Sequence, residues 1–138
     1  MQNKFYLDTS IWMDLYENRT GFNQEPLGDF AWKLLSIIKA KKETLVISDL
    51  LIKELEMSYS IEEINGMMKI FESILERIIT TKKQRDEAKQ IAGERNLPHG
   101  DVLHTILARD HNLILITRDN HFKELMDISP YHKPEELI

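Results

Sequence analysis

The sequence predicts an α/β fold, a three-layer α/β/α sandwich around a parallel sheet of four to five strands. Short apolar runs suited to strands buried on both faces alternate with longer stretches whose apolar residues recur at helical spacing. That alternation predicts βαβ units with right-handed crossovers and helices on both faces of the sheet. Two of the runs are also followed, at once or after one residue, by an aspartate. Open parallel sheets bind ligands outside the carboxyl ends of their strands, so those two acids are placed at the functional edge.

The elements follow in order. Residues 4–8 read as the first strand, and Thr9 or Ser10 then caps a helix carrying Ile11, Trp12, Leu15 and Tyr16. The polar, Gly-containing stretch from Asn18 to Gly28 reads as a loop. Phe30, Leu34, Leu35, Ile37 and Ile38 cluster at helical spacing, and Thr44–Ser48 is the second strand. Helices are expected at about 49–58 and 61–76, with Ile78–Thr80 as a short third strand. Lys82 to Arg95 reads as a polar helix with few core positions. A helix opened by Pro98-His99-Gly100-Asp101, a strand at Leu113–Thr117 and a last strand around Leu125–Ile128 complete the chain.

The 138 residues match the commonest domain size, and a single domain over 1–138 is expected: no repeat, low-complexity tract or linker divides them. The 42% hydrophobic and 30% charged fractions are ordinary for a globular protein. With no cysteine, disulfide frameworks and thiolate metal sites are excluded. No apolar run reaches the roughly 18–20 residues needed to cross a membrane, and the chain enters a strand at once instead of a signal peptide, so the cytoplasm is the expected compartment. The net charge of -5 disfavours non-specific nucleic-acid binding. It is compatible with a metal-dependent nuclease, whose acidic site carries much of that charge.

Four acids carry the chemistry. Asp8 ends the first strand, Asp119 follows Leu113–Thr117, Asp101 lies at a helix start, and Glu54 lies in the helix after the second strand. Converging carboxylates repel one another away from water, so a cation is expected among them, and a hard divalent ion with oxygen ligands suits the set. Each acid also has an ordinary reading taken alone. Asp8 and Asp101 can cap helices, Glu54 can be solvated surface, and Asp119-Asn120 can be a turn; it is the combination that points to a site.

The segments FYLDTSIW, ISDLLIKELE, HGDVLHTILARDHNLILITRDNHF and HKPEELI together resemble the PIN domain family, in order and spacing over nearly the whole chain. That family comprises metal-dependent ribonucleases, including the toxin halves of many bacterial and archaeal toxin–antitoxin pairs. The resemblance maps the four family acids onto Asp8 (followed by the small hydroxyl pair Thr9-Ser10), Glu54, Asp101 in Gly-Asp-Val-Leu-His, and Asp119 in Thr-Arg-Asp. Some members carry a further acid just after the fourth, where this chain has Asn120 and His121. The resemblance implies a divalent-metal-dependent endoribonuclease, a homodimer, and an antitoxin protein as possible partner beside the RNA substrate.

Phosphodiester hydrolysis needs neutralisation of phosphate charge and a nucleophilic water, which one or two Mg²⁺ or Mn²⁺ ions supply. Asp8 and Asp119, fixed by strand ends, are expected as the closest ligands. Asp101 ligates or orients water, and Glu54 ligates a second ion or acts as base. Ser10 and Thr117, with Thr9, stand behind them to hold carboxylates or water. Arg118 is the candidate phosphate contact. His99, His104 and His111 lack compact zinc spacing, although His104 is within reach of the site. The basic run Lys82, Lys83, Arg85, Lys89 is interrupted by Asp86 and Glu87 and reads as a solvated face.

Other classes fit less well. A receiver domain needs a lysine ending a late strand, where Thr117-Arg118 stands; a haloacid-dehalogenase-like phosphatase needs an acid at Ser10. The remaining alternative is a catalytically silent PIN-like module that binds RNA or protein. The helices bearing Trp12, Trp32, Met67, Met68 and Phe71 are expected to supply an apolar face for self-association.

Overall fold

The computed structural model describes residues 2–138. Its strands are β1 (Lys4–Leu7), β2 (Thr44–Ser48), β3 (Leu75–Ile78), β4 (Ile114–Ile116) and β5 (Tyr131–His132). Its helices are α1 (Thr9–Glu17), α2 (Leu27–Ala40), α3 (Asp49–Glu56), α4 (Ile61–Lys69), α5 (Lys82–Arg95) and α6 (His99–Asp110). The sheet runs β3-β2-β1-β4-β5 with every pairing parallel. From β1 the chain builds outward through β2 to β3, then returns to the other side of β1 for β4 and β5. The strand order therefore reverses between β1 and β4, the position where ligands bind in open parallel sheets.

Alternation along the strands makes the layers. Phe5, Leu7, Leu45, Ile47 and Ile116 point to one face and pack under α1 to α4, with Trp12, Leu35, Leu51 and Phe71 buried there. Tyr6, Val46 and Leu115 point to the other face, against Ala88 of α5 and Val102, Ile106 and Leu107 of α6. Each fully buried side chain of this kind contributes about 1.5–3 kcal/mol. Gly28 permits the close crossing of α1 and α2, since a Cβ there would lie 2.7 Å from the Asn18 Cα and 2.8 Å from the Asp14 carbonyl oxygen. Among the described residues no helix is long and apolar enough to cross a membrane.

The differences from the sequence expectations have local causes. Asp8 itself, not Thr9 or Ser10, is the N-cap of α1. The loop after α1 stops at Pro26, because Gly28 is helical. The helix expected to reach residue 76 ends at Lys69. The apolar residues after it serve a short 3₁₀ turn at Glu72–Ile74 and then β3, where Leu75 pairs with Leu45. Period alone does not distinguish such a run, and pairing with β2 decides it. Ile79 and Thr80 fall outside the strand, and the Asp49 carboxylate takes both the Thr80 N–H (2.8 Å) and hydroxyl (2.9 Å). The last strand lies at Tyr131–His132; Leu125 instead ends a 3₁₀ segment, Asn120–Leu125, that buries Phe122 and Leu125. Of the five residues expected to form an apolar face, Trp12, Met67, Met68 and Phe71 are core, and only Trp32 is exposed.

Candidate active site

The site forms at the carboxyl edge, where β1 and β4 end side by side. Asp8 follows β1 and is 5% exposed. Its Oδ1 accepts from the Ser10 hydroxyl (2.7 Å) and the Ile11 N–H (3.3 Å), and its Oδ2 from the Thr117 hydroxyl (2.6 Å). Burial raises its pKa; the bonds from Thr117, Ser10 and Ile11 and the nearby His104 oppose that rise. Thr117 also accepts from the Asp119 N–H at 3.2 Å, so one hydroxyl joins the first and fourth acids.

Asp119 caps the Asn120–Leu125 turn by accepting from the His121 N–H (2.9 Å). Asp101 lies in the first turn of α6. His121 Nδ1 stands between the two, 2.9 Å from Asp101 Oδ2 and 3.0 Å from Asp119 Oδ1. Asp101, Asp119 and His121 thus present ligand atoms within 4.8 Å of one another. Burial raises the Asp101 pKa, the charge of Asp119 adds to the rise, and the hydrogen bond to His121 resists it.

Glu54 is held differently. Its Oε1 accepts from the Thr9 hydroxyl and from His104 Nε2 at 2.6 Å. Burial alone would raise its pKa, but the bonds from His104 and Thr9 outweigh burial and hold it below its ordinary value. Behind it runs a buried chain: Tyr6 Oη lies 2.6 Å from both His104 Nδ1 and Ser48 Oγ, and the Leu51 N–H donates to Ser48 Oγ. One assignment uses every proton. Leu51 donates to Ser48, Ser48 to Tyr6, Tyr6 to His104 Nδ1, and His104 Nε2–H to Glu54. Burial drives the Tyr6 phenol pKa sharply upward, so the hydroxyl stays a donor. Gly100 completes the pocket: a Cβ there would lie 2.6 Å from Glu54 Oε2. Glu54 therefore meets the other acids through their chain neighbours, Thr9 beside Asp8 and Gly100 beside Asp101.

His104, expected within reach of the site, is part of this pocket, and His121, Tyr6 and Ser48 join it without having been singled out by the sequence. His121 was visible only as a departure from the family pattern. Arg118 is positioned otherwise than expected of a phosphate contact. Its guanidinium makes a bidentate pair with Glu135 (2.8 Å each), approaches Asp14 at 3.6 Å, and lies over the Phe30 ring at 6.0 Å. Of the basic run on α5, Lys82 pairs with Asp86 and Arg85 with Thr80.

The donor set fits a divalent cation. Oxygen donors predominate, and two of the carboxylates have raised pKa values. Among the described residues no lysine or arginine forms a salt bridge with Asp8, Glu54, Asp101 or Asp119. Negative charge is thus gathered with only histidines beside it.

Residues 5–127 match the family described as PIN domain. No curated protein matches the chain. Among solved structures, the fold resembles VapBC2 from Rickettsia felis bound to a promoter DNA fragment, with 24% identity, 88% of this chain and 92% of that chain covered, and a TM-score of 0.62. It also resembles a toxin–antitoxin complex from Klebsiella pneumoniae (20% identity, 94% and 97% covered, TM-score 0.65). A third is PAE2754 from Pyrobaculum aerophilum (19% identity, 98% and 86% covered, TM-score 0.60). At these identities the likeness is one of fold.

Proposed function

The chain belongs to the PIN domain family, and from that premise we propose that it is a divalent-metal-dependent endoribonuclease, a single catalytic domain over 1–138 that hydrolyses RNA phosphodiester bonds. One observation carries the reading: Asp101, Asp119 and, through Thr117, Asp8 converge at the strand-order reversal with no lysine or arginine paired to them among the described residues. Asp8, Asp101 and Asp119 would hold one or two Mg²⁺ or Mn²⁺ ions. The ion supplies charge neutralisation for the phosphate and a water acidic enough to attack near neutral pH.

The chain's own residues do the rest. Ser10 and Thr117 fix the Asp8 carboxylate in one rotamer, so its orientation is set before substrate arrives. Glu54 is locked by Thr9 and His104 through one oxygen and keeps the other, beside Gly100, to accept a proton from water. Its lowered pKa keeps it ionised for that role.

The toxin–antitoxin complex among the solved structures supports a biological setting in which this chain is a toxin restrained by an antitoxin; the reading further takes it to act in the cytoplasm as a homodimer. The test incubates structured and unstructured RNA with the protein, with Mn²⁺ or with chelator, beside Asp8→Asn. Cleavage that requires Mn²⁺ and is lost in the folded variant is expected. Cleavage surviving chelator, or undiminished in the variant, refutes the assignment; RNA binding without turnover under any metal indicates the silent module. Light scattering on the same preparation should give a dimer mass, and a monomer across micromolar concentrations rejects the homodimer.

A further inference from the structure

We propose that His121 is a nitrogen donor to the cation held by Asp101 and Asp119, and that it biases this site away from Mg²⁺ toward ions that accept imidazole. The inference rests on reading that cluster as a metal site. Adjacent ligands on an octahedral ion lie about 3.0 Å apart when each bond is roughly 2.1 Å. His121 Nδ1 stands 2.9 Å from one aspartate oxygen and 3.0 Å from the other. One ring nitrogen thus occupies a ligand's place with respect to two carboxylates from different elements.

The backbone sets that position. His121 donates its own N–H to Asp119 Oδ1 at 2.9 Å. The 3₁₀ segment carrying it is anchored by buried Phe122 and Leu125. The ring is therefore held at the pocket's rim by covalent geometry and packing as well as by its contacts. Nδ1 engages both acids while the side chain is half exposed, so a cation that took the place of the Nδ1 proton would leave Nε2 to carry the ring's N–H. Arg118, the residue best placed in sequence to compete for the same acids, is paired with Glu135 and Asp14.

The chemistry gives the direction of the bias. Magnesium takes oxygen ligands in a near-ideal octahedron and keeps its waters, whereas imidazole suits Co²⁺, Ni²⁺ and Zn²⁺, with Mn²⁺ at the low end of that series. Replacing an oxygen donor by Nδ1 weakens the hold on Mg²⁺ relative to the later ions.

The test uses the metal-free full chain and metal alone. Pulsed EPR of the Mn²⁺-loaded protein should show coupling to one imidazole nitrogen, which vanishes in His121→Ala. Calorimetric titrations should show Co²⁺ affinity falling by roughly tenfold or more in His121→Ala while Mg²⁺ affinity changes by less than about threefold. His121→Asp, an all-oxygen set, should move the preference back toward Mg²⁺, and circular dichroism checks that both variants fold. Mn²⁺ binding without the nitrogen signal, a signal persisting in His121→Ala, or equal losses for both ions overturns the proposal and leaves the nuclease reading standing. Failure to bind any of the metals overturns both. Binding with the nitrogen signal but no RNA cleavage overturns the nuclease reading alone.

Discussion

Removing one oxygen atom tests whether the buried polar chain is continuous. Tyr6→Phe deletes a hydroxyl at a fully buried position, between Ser48 and His104, each 2% exposed. The ring keeps its packing, and the gap is smaller than a methyl group. The Ser48 hydroxyl loses its acceptor and His104 Nδ1 loses its donor. Each buried polar group left unpaired costs about 1–3 kcal/mol, and relief from no longer burying the phenol offsets part of that. A net loss of about 2–4 kcal/mol is therefore expected. It should appear as a lower urea midpoint at unchanged slope, since the exposed surface on unfolding is the same. Tyr131→Phe is the control, for its ring packs on Phe122 and its hydroxyl has no hydrogen-bond partner among the described residues, and it should change stability by under about 0.5 kcal/mol. The same Tyr6 variant frees the His104 ring that orients Glu54, so RNA cleavage should fall with Mn²⁺ affinity little changed. A loss below about 0.5 kcal/mol in Tyr6→Phe would refute the continuous chain and the proton assignment that follows from it.

Gly100→Ala sets helix propensity against the pocket. Alanine in a helix gains about 0.5–1 kcal/mol over glycine, but the new Cβ lies 2.6 Å from Glu54 Oε2, so the carboxylate must shift, which weakens the bond its Oε1 takes from His104, of a kind worth about 1.5–3 kcal/mol. Chemical denaturation should show a small net loss, with a fall in cleavage on the order of tenfold or more; wild-type activity would mean Glu54 is not in the reaction. Asp101→Asn tests the repulsion. An acid whose folded pKa is raised favours folding while protonated and opposes it once ionised, so the contribution of Asp101 to the stability of the metal-free parent should be lost as pH rises from about 4 through the raised pKa. In chelator at pH 8 the variant should melt above the parent, the difference should shrink toward pH 4, and millimolar Mn²⁺ should raise the parent more than the variant. A variant that melts below the parent in chelator at pH 8 would show that Asp101 is not under strain from burial and Asp119.

The sequence made legible what is local or strongly patterned. Asp8 and Asp119 could be placed because each closely follows a mostly apolar run, and a strand end fixes where the residues just beyond it lie. The parallel sheet and its helical layers followed from the alternation of such runs. What escaped depends on contacts between distant positions. Tyr6 and His104 are separated by 98 residues, and Tyr6 looks like any core aromatic until His104 is opposite it. His121 reaches the acids because a 3₁₀ turn returns the chain within two residues of Asp119, a turn that no glycine or proline announces. Arg118 misled for a related reason. Adjacency to Asp119 placed it near the site, but side chains of successive extended residues point opposite ways, and its guanidinium finds Glu135 and Asp14. The apolar helix residues offered for self-association were read without a partner, and four of the five are needed for the core.

The four acids divide by environment, and that division orders their roles. Asp8 and Asp101 have raised pKa values because burial outweighs their hydrogen bonds, and for Asp101 the charge of Asp119 adds to it. Glu54 is lowered because its oxygen has two donors, one of them a histidine fixed from behind by Tyr6. Burial thus works against the charged form of Asp8 and Asp101, while donated hydrogen bonds favour the charged form of Glu54. The pair with raised values opposes folding when ionised, and a cation relieves that penalty because it binds the assembled site and not the unfolded chain. Glu54 needs no such help and is ionised with or without metal. On the proposed reading its service is therefore to accept a proton or hold water, while the aspartates would hold the ion. The aspartates must give up their protons for a metal to bind, so metal affinity should fall as pH drops through their raised pKa values.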